Sequence, residues 1–228
     1  MSTKAFRILV ALCGILGITA LMVSFAINPA PPAGSAIPQI VVWGKQHETL
    51  ILTGSWLQGV GSLLEVIFIL ALVHLTDTTR LLRGWIVMFT ATIIMGVSLV
   101  EVAFYISTIE SGVSGDLTTM SVSLNLIKAI QHAYVIAPAP ALLFTLAVIL
   151  IDSRMLPRLF GYLAVVLGAT MGILGLIGTF IPLQLVIDTV LSVQEIWFIA
   201  IAITLIITAK AASNVMPANE QVSLTAHG

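Results

Sequence analysis

The run ETLILTGSWLQGVGSLLEVIFILALVHL, Glu48 to Leu75, decides the fold. After its first residue it carries one charge, Glu65, and it exceeds the about 20 apolar residues that cross a bilayer as a helix. Within it Ser55, Gln58, Ser62 and Glu65 recur at steps of three, four and three, so a helix gathers all four on one face. Such a stripe in an otherwise apolar helix must face other helices, since lipid cannot satisfy it.

Five more apolar runs follow the same rule: Phe6 to Ile27, Leu82 to Ile109, Ser121 to Ile151, Pro157 to Phe180 and Leu183 to Ala209. The expected fold is therefore an all-α polytopic membrane bundle of six transmembrane helices over residues 1–212, with a polar tail over 213–228. The 228 residues are 59% hydrophobic and 8% charged, against roughly 25% charged in an ordinary soluble domain. A mean hydropathy of +1.13 leaves too few polar residues to cover a soluble globule. Disordered chains, disulfide-stapled secreted domains and nucleic-acid binders are excluded: nine basic residues nearly cancel ten acidic ones, and Cys13 has no second cysteine.

Lys4 and Arg7 before an apolar run resemble a signal peptide, but the uncharged stretch Ile8 to Ile27 is longer than a typical h-region, so retention as a first span is expected. With six spans, Lys4, Arg7, Arg80, Arg83, Arg154, Arg158 and Lys210 fall on one side, which predicts cytoplasmic N and C termini. The opposite side carries Lys45, Glu48, Glu110, Asp116 and the Pro-rich segment Asn28 to His47, read as a loop. Asp77, Arg80, Arg83, Gly84 and Trp85 share an order with Asp152, Arg154, Arg158, Gly161 and Tyr162. A duplicated hairpin would produce this, and so would the general enrichment of Arg and aromatics at inner interfaces.

Three other spans carry polar stripes: Ser98, Glu101, Tyr105 and Thr108; Ser121, Asn125, Lys128 and His132; Gln184, Asp188, Ser192 and Glu195. Counted along antiparallel helices, Glu65, Glu101, Lys128, His132 and Glu195 share the half of the membrane opposite the termini. A charge at the bilayer centre costs on the order of 2.5 to 3.5 kcal/mol, so these groups are expected to face one another, with Lys128 paired to a glutamate. The candidate substrate- or ion-binding set is Glu65, Glu101, Lys128, His132, Glu195, Gln58, Asn125 and Asp188. Its surplus of acid calls for a cation, water or proton in compensation, although buried polar glue between helices would use the same residues.

Pro138 and Pro140 lack the N–H groups that the carbonyls of Tyr134 and Ile136 would accept, which predicts a helix break near the candidate site. Gly161, Ala164, Gly168, Gly172 and Gly175 form a small-residue stripe for close packing, with Gly14 and Gly17 a smaller one in the first span. No two histidines sit at matched depth for a haem. A metal on Glu65, Glu101, His132 and Glu195 lacks a Glu-x-x-His or His-x-x-x-His spacing. Lys210, the only lysine of the last span, is too near its end for retinal. Serines are too common for Ser192, His132 and Glu195 to mark a nucleophile, so neither metal nor cofactor is expected.

Leu142 to Gly161, with Asp152-Ser153-Arg154-x-x-Pro157-x-x-x-Gly161, and the final Gln194-Glu195-x-Trp197 with Lys210 resemble an uncharacterised bacterial multi-pass membrane family, a domain of unknown function. The resemblance covers mainly the last three spans; it implies the bacterial cytoplasmic membrane and no activity. The residues themselves point first to a small cation- or proton-coupled transporter or channel-like protein, taking a small cationic or polar ligand or a proton. At six spans it is expected to act as a homo-oligomer. A non-catalytic membrane subunit with a protein partner, and an intramembrane enzyme acting on a lipid or quinone, are the alternatives.

Overall fold

The computed structural model describes residues 3–28, 37–153, 155–181 and 183–214. Among them the chain is helical with no strand, as α1 (Thr3–Ile27), α2 (Ile37–Leu75), α3 (Leu82–Ser114), α4 (Leu117–Ile136), α5 (Pro138–Asp152), α6 (Leu159–Gly178) and α7 (Gln184–Asn214). Six apolar helices are long enough to cross a membrane, α4 and α5 together making the fourth. Residues 29–36 of the expected loop, Arg154 and 215–228 of the expected tail lie outside the described residues.

Each span runs antiparallel to the one before it, with α5 continuing the direction of α4. The glycine contacts 14 with 68 and 17 with 61 set α1 on α2, Ser62 with Ser98 sets α2 on α3, and Gly161 with Ile151 sets α6 on α5. α7 returns to pack on α1 as well as α6, so the six spans close into a ring. Exposed Leu, Ile, Val and aromatic side chains such as Leu16, Trp56, Ile67, Phe89 and Val166 cover its outside, the surface a lipid solvent calls for. Inside lie Phe68, Leu72, Leu142, Leu146, Phe198 and Leu205, with Phe68 and Phe198 edge to face at 6.3 Å.

Two elements differ from the sequence expectation. Residues 37–47, expected in the outer loop, belong to α2. Pro38 sits in the first turn, where its missing N–H costs nothing, and the apolar residues after it continue the helical face. The α3–α4 connection is equally tight: Gly115 at φ 82° ends α3, and Asp116 caps α4 by accepting from the Thr119 N–H at 3.1 Å and the Thr119 hydroxyl at 2.6 Å. These two bonds hold the exposed Asp116 carboxyl below the usual carboxylate range.

The proline break falls as expected. Ala137 leaves helical geometry at φ −136°, ψ −56°, and regular bonding resumes with Ala141 N–H to Ala137 O at 3.0 Å. The small-residue stripe of α6 covers it: a Cβ on Gly175 would lie 2.9 Å from both the Ile136 Cα and the Val135 carbonyl oxygen. At the opposite end Arg83, in the first turn of α3, and Asp152, at the end of α5, form a salt bridge between the two segments that share a residue order.

Candidate functional site

α2 and α3 meet along one polar ladder. Gln58 Nε2 donates to Glu101 Oε2 at 2.7 Å, and one turn further the hydroxyls of Ser62 and Ser98 bond at 2.6 Å. Ser55, Gln58, Ser62 and Glu65 of α2 are all buried, as are Ser98, Glu101 and Thr108 of α3, so both stripes face inward as their spacing predicts. From α4, Gln131 Nε2 reaches Glu101 Oε1 at 2.6 Å. Tyr105 stands beside this carboxylate within reach of Gln131, and Asp188 of α7 is near enough for its charge to act on the same phenol. Glu101 is thus held by an amide on each oxygen, between three helices.

A second tier lies deeper. On α7, the side chain of Glu195 approaches Glu65 of α2 closely enough for their charges to act on one another, and Tyr134 of α4 feels both. The Gln194 amide donates to the Tyr134 hydroxyl at 3.0 Å and to Glu195 Oε1 at 3.3 Å, while the Tyr134 hydroxyl donates back to Gln194 Oε1 at 3.2 Å. Glu195 Oε2 is buried without a hydrogen-bond partner, as is Gln58 Oε1 in the tier above. If the Thr76–Leu81 turn marks the bilayer boundary, Glu65 lies about 15 Å in, near the midplane, and Glu101 about 28 Å in, near the far boundary.

The lower tier is enclosed by backbone. A Cβ on Gly17 of α1 would lie 2.8 Å from the Glu65 nitrogen and 2.9 Å from the Gly61 carbonyl oxygen. One on Gly61 would meet the Gly17 carbonyl at 2.8 Å, so only paired glycines let α1 approach this closely. α1, uncharged beyond Arg7, and α6 pack as walls through the small-residue faces that their glycines provide.

Three members of the candidate set stand elsewhere, and a fourth, Asp188, only borders the upper tier. Lys128 and Asn125 are exposed, and Lys128 makes no ion pair among the described residues, so its expected pairing with a glutamate does not form. The reason is depth: from Asp152, Lys128 lies about 36 Å along the span, beyond the about 30 Å of hydrocarbon, where its ammonium stays hydrated. His132 turns toward α6, its Nε2 3.2 Å from the Thr179 hydroxyl and its ring against Gly178, and does not join the glutamates. Asp188 is exposed at the rim of the upper tier. Pro140 packs toward α6, 3.8 Å from where a Cβ on Gly172 would lie, and Pro138 opens α5 beside the break at Ala137. The side chain of Gln184, first in the α7 stripe, lies outside the described residues.

In their place come Gln131, Tyr134 and Gln194. The inward face of α4 runs through Met120, Ser123, Ile127, Gln131 and Val135, one residue off the stripe Ser121, Asn125, Lys128 and His132. One residue is about 100° of rotation on a helix. Lysine was the available signal, because of two competing polar faces the one holding a strongly hydrated ammonium belongs outside. Among the described residues no three His, Cys, Asp or Glu are grouped to hold a metal ion. The sequence matches no protein-family model, and neither a curated protein nor a solved structure was found similar to it. Architecture alone defines the class, an integral membrane protein with, among the described residues, six membrane-length apolar helices and two tiers of buried carboxylates.

Proposed function

We propose that the protein is a small proton- or cation-coupled transporter or channel-like protein of the bacterial cytoplasmic membrane, with both termini cytoplasmic. One observation carries this reading: Glu65, Glu101 and Glu195 are each 6 to 7% exposed, and no basic side chain pairs with them among the described residues. Buried carboxylates without a cationic partner are far more costly than the apolar side chains that would pack in their place, and Glu195 Oε2 lacks even a hydrogen-bond donor, so a positive occupant at the Glu65–Glu195 tier is the reason to keep it. The upper tier near the far boundary would be the entry, and the lower tier the central site. Six basic side chains at the described helix ends on the terminal side support the orientation.

The test is flux in proteoliposomes enclosing a pH-sensitive dye. A gradient of protons, sodium, potassium or a small amine is expected to change internal pH faster than in protein-free vesicles, and Glu65→Gln to slow that change at least tenfold. Flux no faster than in empty vesicles with every gradient overturns the reading. The alternative, a non-catalytic membrane subunit, draws support from Glu101, whose two oxygens are bonded to α2 and α4 as packing glue would be.

A further inference from the structure

The two tiers differ in their supply of hydrogens, and this difference assigns them different charge states. At Glu101 both carboxylate oxygens accept from amide N–H groups, at 2.7 and 2.6 Å, and an acceptor-only group so served is complete as an anion. At the lower tier three side-chain hydrogens are in place and all are committed. The Gln194 amide uses its two on Tyr134 and Glu195 Oε1, and the Tyr134 hydroxyl returns its one to Gln194. Trp197 Nε1, the next donor on α7, is turned away to the Phe160 carbonyl at 3.2 Å. Glu195 Oε2, on a side chain 7% exposed, therefore has no donor, and no hydrogen bond reaches Glu65 among the described residues. What the site lacks is a hydrogen.

We infer that Glu65 and Glu195 hold one proton between them, in the mid-bilayer tier, while Glu101 stands above them as a fixed anion. This rests on the coupled-transport reading and names the proton as the occupant of its central site. Uptake places H⁺ on one carboxylate oxygen, forming an O–H bond that points at its partner; release breaks the same bond and returns H⁺ to water, with no other bond changed. Two like charges in an apolar interior repel, and one proton removes the repulsion and supplies the missing donor together. The surroundings add nothing to compete for it. α4 contributes neutral Tyr134, α3 contributes Glu101 one tier away, α1 brings Gly17, and α5 and α6 bring no charged side chain to this depth.

Infrared spectroscopy of the purified full-length protein in detergent tests this through the C=O stretch of protonated carboxyl groups. A band is expected at neutral pH in the wild type, lost in the double variant Glu65→Gln/Glu195→Gln and retained in Glu101→Gln. No band in the wild type, persistence in the double variant, or loss in Glu101→Gln each overturns the inference. The wild-type spectrum needs no variant to fold. A band erased by added sodium or potassium at constant pH would give the pair to an alkali cation and overturn the proton. Failure of the coupled-transport reading is separate: absent flux with the band present leaves the shared proton standing, and flux without the band leaves transport standing alone.

Discussion

Glu65 and Glu101 are equally buried, each 6% exposed, and sit on neighbouring helices two turns of α2 apart. One has no hydrogen-bond donor among the described residues and the other has two. Burial alone therefore does not say what a membrane carboxylate is for; the donors around it do. A carboxylate supplied with amide hydrogens is part of the scaffold's polar seam, whereas one facing another carboxylate without donors is a place where charge must be neutralised. The tiers also differ in their walls. The lower is closed by the backbone contact of Gly17 with Gly61, whereas the upper is tied together by the side chains of Gln58 and Gln131 on Glu101.

The largest effect should come from breaking the wall of the lower tier. Gly17→Leu forces a side chain into the Glu65 backbone and is expected to cost about 3 kcal/mol or more, while Gly59→Ala, with open space around it, should be neutral. Thermal unfolding in detergent compares them. A Gly17→Leu protein as stable as wild type would mean that α1 does not seal this tier.

A smaller effect, of opposite sign in the two tiers, is expected at the carboxylates themselves. Glu101→Gln leaves one of the two amides that point at it without an acceptor and should destabilise by about 1 to 2 kcal/mol. Glu65→Gln places an amide N–H beside Glu195, supplying a donor that the pair lacks, and should be neutral or stabilising. Melting temperatures at neutral pH decide, and a loss of equal size in both variants would erase the distinction drawn here.

The smallest effect concerns the turn that delivers α4, and so Gln131, to Glu101. Because Thr119 holds the Asp116 carboxyl below its ordinary value, the cap's contribution is present above the unfolded carboxylate range and is lost as pH falls through the lowered folded value. Asp116→Ala should therefore lower the melting temperature slightly at neutral pH, and the gap to wild type should close in acid. A gap independent of pH would show that the cap does not act through its charge.

The polar faces of α2 and α3 were legible because each helix has one polar stripe at helical spacing and nothing to compete with it. α4 was not, since Ser121, Asn125, Lys128 and His132 compete with Ser123, Gln131 and Tyr134 on faces one residue apart. On α7 Glu195 was found inside as read, but Ser192 is exposed, and the adjoining Gln194 makes the contacts instead. Counting depth from the loop ends also misplaced Lys128, since α2, α3 and α4 run past the hydrocarbon and their ends are not its boundary.

The number of spans, the helical class, the proline break and the inward turn of Glu65, Glu101 and Glu195 were readable along the chain, because hydropathy and period follow from composition and helix geometry alone. Only the tertiary structure decided which carboxylates receive donors and which face each other. Hydrogen-bond supply depends on the rotation of each helix about its axis, which packing sets and a periodic pattern with two polar faces leaves open.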